Sequence, residues 1–290
     1  MKPMRYLQGL SLVLIVSLNV CAQEAQPLVD AAAKLYAECQ TYSIELDNRI
    51  VQLKSAPGAD GQAAQLEVIS TEYRRLNLKV QRPYGYWLMA QLWRDGSASR
   101  PNAANGAVAF SVVSRSDDAL PRQGVVEGGT FKILLAPAEQ FNAMANTRLG
   151  PQAMEDPVLR YFHAHRTEPE KNMSLGLTEA DVIGRETING KTCFRIIGKT
   201  GNGHSVMLWI DRESSLVARS VIWYPGTDSE SGLKMLTVIE AFYNQQKINP
   251  GFAPADFSIG KSTGSGRVSA QQMGFGETAD LLKLTEISAR

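Results

Sequence analysis

Three short patterns in the chain contain residue types that catalyse hydrolysis or bind phosphate in other proteins. Residues 260–264 (GKSTG) match G-x-S-x-G, but that turn needs a following helix and a later histidine, and His204 is the last histidine. Residues 190–192 (GKT) lie in a predicted hairpin turn, which does not suit a phosphate loop. Residues 199–201 (KTG) and 231–234 (SGLK) occur in reversed order relative to penicillin-recognising enzymes. We interpret these matches as chance and predict that the protein is not an enzyme.

The three histidines do not form a predicted metal site. His163 and His165 are two residues apart on a predicted helix, where such side chains do not face each other. With His204 they would need a carboxylate ligand that no spacing singles out. The chain also has no C-x-x-C pair, no H-E-x-x-H and no glycine-rich dinucleotide turn after a strand. The sequence therefore predicts neither a metal ion nor a cofactor, although a site assembled from distant residues would leave no motif.

The composition excludes two broad classes of protein. The chain has 290 residues, with 30 Lys and Arg against 29 Asp and Glu, and 44% of its residues are hydrophobic. A nucleic-acid-binding protein would show a basic surplus, and a disordered chain would show a charge excess with few hydrophobic residues. The length suits one large domain or two ordinary ones.

The first 22 residues have the pattern of an export signal. Lys2 and Arg5 precede a short apolar run at residues 10–18 (LSLVLIVSL), and residues 20–22 (VCA) provide the small residues of a cleavage site. The apolar run is shorter than the roughly 20 residues that cross a bilayer. The sequence therefore predicts a periplasmic protein whose mature chain has 268 residues and a net charge of −1.

The cysteines leave alternatives open. Cys21 could be acylated after cleavage, but a lipoprotein signal favours a small residue before the cysteine, where Val20 stands. Cys39 and Cys193 would remain in an exported chain, where a disulfide can persist. Such a bridge would contribute about 4–5 kcal/mol in the loop-length model. The alternative is two buried free thiols.

The elements that carry these residues are predicted to be mostly strands. An Ala- and Leu-rich helix is predicted over residues 27–38, and Asn189-Gly190 is a strong signal for a type I′ hairpin turn. Residues 95–106 form a predicted loop, and a turn around Pro121 and Gly124 is predicted between the strands at 107–114 and 129–135. Residues 277–287 form a predicted small helix or strand at a sheet edge, or a mobile tail. The alternating strand patterns lie at 41–53, 72–81, 84–93, 107–114, 129–135, 182–188, 191–199, 205–211, 216–224 and 236–243, with helical patterns at 137–145 and 151–165.

Several of these strands are apolar on both faces. Trp87 and Met89 alternate with other apolar residues, as do Met207 and Trp209, and Trp223 with its neighbours. A strand that is apolar on both faces is covered on both, by helices, by a ligand or by a partner. The pattern alone leaves two readings open: helices and loops as cover, or an apolar surface for an acyl chain.

Short motifs in consistent order resemble the outer-membrane lipoprotein carrier superfamily (the LolA-like fold), particularly its outer membrane lipoprotein-sorting protein relatives. They span about residues 36–259. The motifs are residues 36–42 (YAECQTY), 78–83 (LKVQRP), 184–193 (GRETINGKTC), 208–211 (LWID), 242–243 (FY), 248–249 (IN) and 254–257 (PADF).

The resemblance implies an α+β fold in which a strongly curved antiparallel sheet, an incomplete β-barrel, has a few helices over its concave side. It implies a half-barrel domain over residues 23–260, followed by a Gly/Ser-rich extension over 261–290, and a pairing of Cys39 with Cys193. It also implies a binding protein that holds a lipid, an acyl chain or another amphiphile, with transient contact to a membrane. The candidate ligand-cavity residues are Leu78, Val80, Trp87, Met89, Trp209 and Trp223.

An insertion near residues 95–128 and the C-terminal extension depart from the dedicated carriers, which leaves lipoprotein itself doubtful as cargo. The alternative function is a regulatory, sensory or scaffold protein of the envelope that binds a protein partner. The face assigned to each candidate residue depends on strand register, since a slip of one residue inverts it.

Overall fold

The residues that the computed structural model describes are mainly in β strands, with three helices. Side chains are described for fewer residues than the backbone, and those of the third to sixth strands are not among them. The described residues are 24–56, 65–82, 85–96, 109–114, 122–127, 130–135, 156–164, 175–229, 231–253, 256 and 273–288.

The helices in this part of the chain are α1 (Ala25–Glu38), α2 (Pro157–Ala164) and α3 (Thr278–Ser288). Helix α1 places an apolar stripe against the sheet, because Val29, Ala32, Ala33 and Tyr36 recur at helical spacing and are all 0% exposed. The helix ends at Cys39, whose amide donates to the Leu35 carbonyl. No helix among the described residues is long and apolar enough to cross a membrane.

Eleven antiparallel strands form one sheet with the order β6-β5-β4-β3-β2-β1-β11-β10-β9-β8-β7. Strand β1 lies at the centre and pairs with β2 and β11, so the two ends of the chain meet in the middle of the sheet. The strands are β1 (Thr41–Ala56), β2 (Gln65–Gln81), β3 (Gly85–Gly96), β4 (Ala109–Ser114), β5 (Arg122–Glu127), β6 (Thr130–Leu135), β7 (Leu177–Ile188), β8 (Lys191–Thr200), β9 (Ser205–Asp211), β10 (Val217–Thr227) and β11 (Lys234–Ile248).

Local turn chemistry accounts for one hairpin and misleads at another. Asn189 and Gly190 have φ values of 48° and 78° and join β7 to β8, as the sequence predicts. Strand β5 corrects the prediction of a turn around Pro121 and Gly124. Gly124 pairs with both Ser111 and Ile133, because cross-strand hydrogen bonds on two sides outweigh its weak strand propensity.

The sheet buries apolar side chains on two faces. In β9, Val206, Leu208 and Ile210 pack with α1 and α2, whereas Met207 and Trp209 pack with the segment that includes α3. We call these the α1 face and the α3 face. Apart from the helices, the α1 face is built by Tyr42, Ile44, Leu46, Leu76, Leu78, Val80, Phe194, Ile196, Val206, Leu208, Ile210, Val217, Ile222, Ala241 and Tyr243, and the α3 face by Val51, Leu53, Cys193, Met207, Trp209, Ala218, Val221, Trp223, Val238 and Phe242.

The predicted fold class, an α+β protein with a curved, open antiparallel sheet, is confirmed. One expectation about its cover is corrected: residues 277–287 were expected at a sheet edge or in a tail, and α3 instead packs on a face of the sheet. Its Leu281 is 1% exposed. The predicted export signal, the helix at 137–145 and most of the insertion near 95–128 lie outside the described residues.

Candidate functional site

An aromatic cluster fills the α1 face beneath α1 and α2. The Tyr42 ring stacks on Phe162 of α2, with centroids 4.3 Å apart and planes at 14°. Tyr36 of α1 meets Tyr42 and Phe162 edge to face, at 5.5 Å and 5.6 Å. Tyr161 completes the cluster, 6.3 Å from Tyr36. This part of the face is therefore occupied by the protein's own rings.

The hydroxyl groups of these rings converge on one glutamine. The Tyr36 and Tyr42 hydroxyls donate to Gln246 Oε1 at 3.1 Å and 2.9 Å. The Gln246 amide donates to the Val217 carbonyl at 2.7 Å, and the Val217 amide donates to the Tyr36 hydroxyl at 3.0 Å. The closed ring of hydrogen bonds connects α1 with β1, β10 and β11, so the buried polar groups also fix the position of the helix.

A buried carboxylate anchors α2 to the same face. Asp156 is 1% exposed, and one of its oxygens accepts the Val158 amide at 3.0 Å, which caps the first turn of α2. The other oxygen accepts the Tyr243 hydroxyl, which also lies 3.0 Å from the Ser220 hydroxyl. The strand residues Tyr243 and Ser220 thus satisfy a carboxylate that would otherwise be costly to bury.

Burial keeps these tyrosines protonated. It is the largest cause that raises the pKa of Tyr36, Tyr42 and Tyr243 above the ordinary value, and the negative charge of Asp156 raises each of them further. The hydroxyls therefore act as hydrogen-bond donors at neutral pH. Among the described residues, these groups form a rigid network of hydrogen bonds within an apolar surface, and they include no activated nucleophile.

A buried cluster of two arginines and one glutamate lies on the α3 face. Arg49 and Arg219 each donate through Nε to the Glu240 carboxylate at 3.0 Å, and Arg49 and Glu240 are 2% and 1% exposed. The Arg219 guanidinium lies 4.3 Å from the Trp209 ring and 5.3 Å from the Phe242 ring. Two guanidinium groups share the Glu240 carboxylate, and the second positive charge is balanced by the Glu186 carboxylate, 3.7 Å from Arg219, and by the aromatic faces beside Arg219.

The C-terminal segment binds directly to this ion cluster. Arg49 Nη1 donates to the Gly276 carbonyl at 2.7 Å, and its guanidinium lies 5.2 Å from the Phe275 ring. The Trp223 indole donates to the Thr285 hydroxyl at 3.1 Å. Apolar contacts from Met273, Phe275 and Leu281 bury the rest of the interface.

The predicted cavity residues do not share one face. Leu78 and Val80 are each 1% exposed on the α1 face, whereas Trp209 and Trp223 are 0% and 3% exposed on the α3 face. Trp209 donates to Glu186 at 2.8 Å. The four candidates with described side chains therefore divide between two surfaces, because alternation in an apolar strand does not reveal which parity faces which cover.

The other two predicted residues lie on β3. Trp87 pairs with Lys79, and Met89 pairs with Asn77. Lys79 and Asn77 alternate along β2 with Leu78 and Val80, so Trp87 and Met89 occupy register positions of the opposite parity. The polar network of Tyr36, Gln246, Asp156, Ser220 and Tyr243 was not among the predicted site residues. Its members lie far apart in the sequence, and no spacing connects them.

The predicted Cys39–Cys193 disulfide is corrected by the structure, where both cysteines are buried and free. Cys39 belongs to the core of the α1 face and Cys193 to that of the α3 face, so the sheet separates their sulfur atoms. Burial raises the pKa of both thiols, that of Cys193 to about 11 with a further contribution from Asp211. The alternative of two buried free thiols is the one observed.

No metal centre is evident in the described part of the chain, where no three His, Cys, Asp or Glu side chains are grouped to hold an ion. His163 and His165 fall where side chains are not described.

Comparison with known proteins places part of the chain in a periplasmic context. Residues 151–270 match a family model described as "Predicted periplasmic protein (DUF2092)". This description confirms the periplasmic location predicted from the sequence. No curated protein matches the chain.

Solved structures that are similar to this chain include two lipoprotein-related proteins and one protein complex. The lipoprotein LppX of Mycobacterium tuberculosis is 12% identical with a TM-score of 0.38, and the match covers 77% of this chain and 94% of that one. A putative outer membrane lipoprotein-sorting protein domain from Vibrio parahaemolyticus is 15% identical with a TM-score of 0.28, covering 79% and 95%. The MucA/MucB complex of Pseudomonas aeruginosa is 11% identical with a TM-score of 0.32, and the match covers 81% of this chain and 61% of that one. The second bears the same family description as the resemblance drawn from the sequence motifs.

Proposed function

We propose that this protein is a periplasmic, non-enzymatic binding protein that holds an amphiphile, with the acyl part on the α1 face over β2 to β5. The observation that carries the proposal is the continuation of the buried apolar rows beyond the helices. Helix α1 contacts β7 and β9, in the other half of the sheet. The β2 positions on the α1 face, Leu76, Leu78 and Val80, are nevertheless at most 1% exposed.

Strand register extends these rows across the far half of the sheet. Leu78 pairs with Leu88, and Leu88 pairs with Val112. A second row begins at Leu76 and runs through Ala90, Phe110 and Val125. The first row then meets Gln123 of β5 and the second meets Lys132 of β6, so the apolar part reaches β5 at its widest, roughly 14 Å beyond β2 at about 4.8 Å per strand. Burial of an acyl chain contributes about 0.8 kcal/mol per CH₂, so such a surface can hold a long chain without a specific polar contact.

The predicted cavity residues differ in how directly an amphiphile on the α1 face would reach them. Leu78 and Val80 lie on the rows that continue into β3 and β4. Trp209 and Trp223 lie beneath the C-terminal segment, so an amphiphile would reach them only after α3 is displaced. Trp87 and Met89 stay candidates, one residue out of step with the Leu78 row.

Two neighbouring valines of β4 provide a matched test. Val112 is in register with Leu88 and Val113 with Trp87, so the two residues have opposite parity. Native mass spectrometry of the mature protein, before and after incubation with an 18-carbon amphiphile, measures uptake. We expect Val112→Asn to reduce uptake about tenfold or more, since it places an amide in the acyl row, and Val113→Asn to leave uptake near wild type. A mature protein that neither carries nor takes up amphiphiles would overturn the proposal.

A second candidate function, an envelope scaffold that binds a protein partner, is favoured by one feature. Leu66, Val68 and Leu233 are 40%, 41% and 41% exposed, near the start of β2 and just before β11. These strand ends are neighbours, because Leu66 pairs with Ser55 of β1, and Lys54 of β1 pairs with Met235. A stable protein complex that is lost in Val68→Asn, together with an absence of bound amphiphile, would favour this function over the first.

A further inference from the structure

An asparagine lies buried in the centre of the sheet without hydrogen-bond partners. Asn48 of β1 is 0% exposed, and among the described residues neither its Oδ1 nor its Nδ2 has a partner. It lies in the series Tyr42, Ile44, Leu46 that builds the α1 face, two residues beyond Leu46. The amide is therefore on the surface where we place the amphiphile.

An unsatisfied buried amide needs an explanation. Leaving a buried donor or acceptor without a hydrogen bond costs more than an average hydrogen bond contributes. Here one side chain leaves both a donor and an acceptor without a hydrogen bond. Several polar groups on the same face are paired: Tyr36 and Tyr42 donate to Gln246, and Tyr243 donates to Asp156. Asn48 differs from these three because its donor and its acceptor both lack a partner, as a site prepared for a ligand would.

The cross-strand neighbour of Asn48 on β11 has a small side chain. Asn48 pairs with Arg74 of β2 on one side and with Ala241 of β11 on the other, and Ala241 in turn pairs with Ser220 of β10. Directly paired residues of an antiparallel sheet share a face, so these four form one row. Ala241 contributes only a methyl group between Asn48 and Ser220, which are about 10 Å apart at two strand spacings.

The chemistry of the Asn48 carboxamide indicates which ligand group would suit it. A carboxylate or phosphate oxygen only accepts, and an ammonium group only donates, so either would leave half of the carboxamide without a hydrogen bond. A hydroxyl or amide group both donates and accepts, so an uncharged group of this kind would satisfy the carboxamide.

We propose that Asn48 binds the polar end of the amphiphile and that this end is uncharged and carries hydroxyl or amide groups. The assignment rests on the proposed function and names the ligand class of the same surface. Leu46 and Leu76 form the next row along the strands, so an acyl chain can run from the Asn48 row to the apolar rows without crossing a charged group of the described residues.

Two probes with the same acyl chain separate the headgroup from the chain. We expect the mature protein to bind 1-monooleoylglycerol about tenfold or more tightly than oleate, measured by titration with native mass spectrometry as readout. Asn48→Leu, which keeps the side-chain volume, should weaken 1-monooleoylglycerol about tenfold and change oleate less than about twofold. The matched control is Asn77→Leu on β2, one residue out of step with Leu76 and Leu78, which should change neither affinity.

Each outcome bears on a different claim. If the wild-type protein binds neither probe, the proposed function itself fails. If it binds both probes equally, or if Asn48→Leu leaves the preference unchanged, the headgroup assignment is wrong while the proposed function stands. Melting of the ligand-free proteins checks folding, and Asn48→Leu should melt no lower than wild type because it removes two unsatisfied polar atoms. If Asn48→Leu melts below the wild type because leucine does not fit, the smaller Asn48→Val variant is used in its place.

Discussion

The two faces of the sheet solve the problem of burying polar groups in different ways. On the α1 face, uncharged hydroxyl and amide groups of Tyr36, Tyr42 and Gln246 satisfy one another beneath helices close to the sheet's central strand, and the charges buried there, Asp156 and the Arg74–Glu72 pair, lie outside this network. On the α3 face, Arg49 and Glu240 form a buried ion cluster with Arg219, and the C-terminal segment provides the cover.

The difference separates a surface suited to exchange from one suited to closure. Neutral groups can be uncovered or re-paired with a ligand at small cost, whereas buried charges that lose a partner are strongly destabilising. The α3 face therefore favours a permanent cover, which the Arg49 contact to Gly276 provides. The α1 face, with the unsatisfied Asn48 amide, is the one prepared for a ligand.

The largest expected effect breaks the ion cluster of the α3 face. Glu240→Gln leaves the Arg49 and Arg219 guanidinium groups without their shared carboxylate, so we expect a loss of about 3–5 kcal/mol in the free energy of unfolding by urea denaturation. The control is Glu38→Gln, which removes an exposed helix pair with Lys34 and should cost at most about 0.5 kcal/mol. Equal losses in the two variants would contradict the distinction between the faces.

A smaller effect is expected at the cover itself. Leu281 is the most buried residue of α3, and Leu281→Ala should lower the free energy of unfolding by about 2–4 kcal/mol through lost apolar contact with the α3 face. Lys283→Ala, on the same helix but paired only with Asp280 at the surface, should change it by less than about 0.5 kcal/mol. If Leu281→Ala is as mild as Lys283→Ala, the C-terminal segment is not a stable cover.

Local sequence signals predicted individual helices and turns, whereas the features that they missed depend on pairing between strands. The Asn189-Gly190 turn and the apolar stripe of α1 were predictable, because both depend on neighbours within a few residues. Strand β5 was missed because Gly124 is a poor strand residue that pairing on two sides overrides. The overlap of the two chain ends at β1 and β11 depends on contacts between residues about 200 positions apart, which alternation does not encode.

The site was harder to predict than the fold. Trp209 and Leu208 are both apolar and adjacent, so the sequence could not show that they face different covers. Asn48 gave no signal, since an asparagine in an alternating strand is ordinarily solvent-exposed. Its significance arises only when Ala241 and Ser220 are placed beside it by the register.

The α1 face can be tested through its protonation. Tyr42→Phe removes one donor to Gln246 and should cost about 1 kcal/mol near neutral pH, since the Tyr36 hydroxyl still reaches the same oxygen. Burial also raises the pKa of Tyr42 in the folded state above its value in the unfolded chain. The stability linked to this proton is therefore fully present below pH 10, and above pH 10 it falls by about 1.4 kcal/mol per pH unit toward the folded-state pKa. Urea denaturation at a series of pH values should show a shallower alkaline loss in Tyr42→Phe.

A packing control separates this effect from simple loss of contact. Phe242→Leu on the α3 face should lower the free energy of unfolding without altering its slope above pH 10, because no proton is involved. An unchanged alkaline slope in Tyr42→Phe would show that the Tyr42 hydroxyl is not held protonated by the α1 face.

The smallest expected effect concerns the two cysteines, one on each face. Because the sheet lies between Cys39 and Cys193, reductant should leave the melting temperature of the chain expressed from residue 23 unchanged, whereas loss of a disulfide between them would cost about 4–5 kcal/mol. Burial and the raised pKa of each thiol should make alkylation at pH 8 slow in the folded protein and fast in denaturant, where two thiols should react. Cys193→Ser provides the control, with one reactive thiol and the same indifference to reductant. A melting temperature that falls on reduction in the wild type but not in this variant would show that the two faces are covalently linked and that their separation by the sheet is wrong.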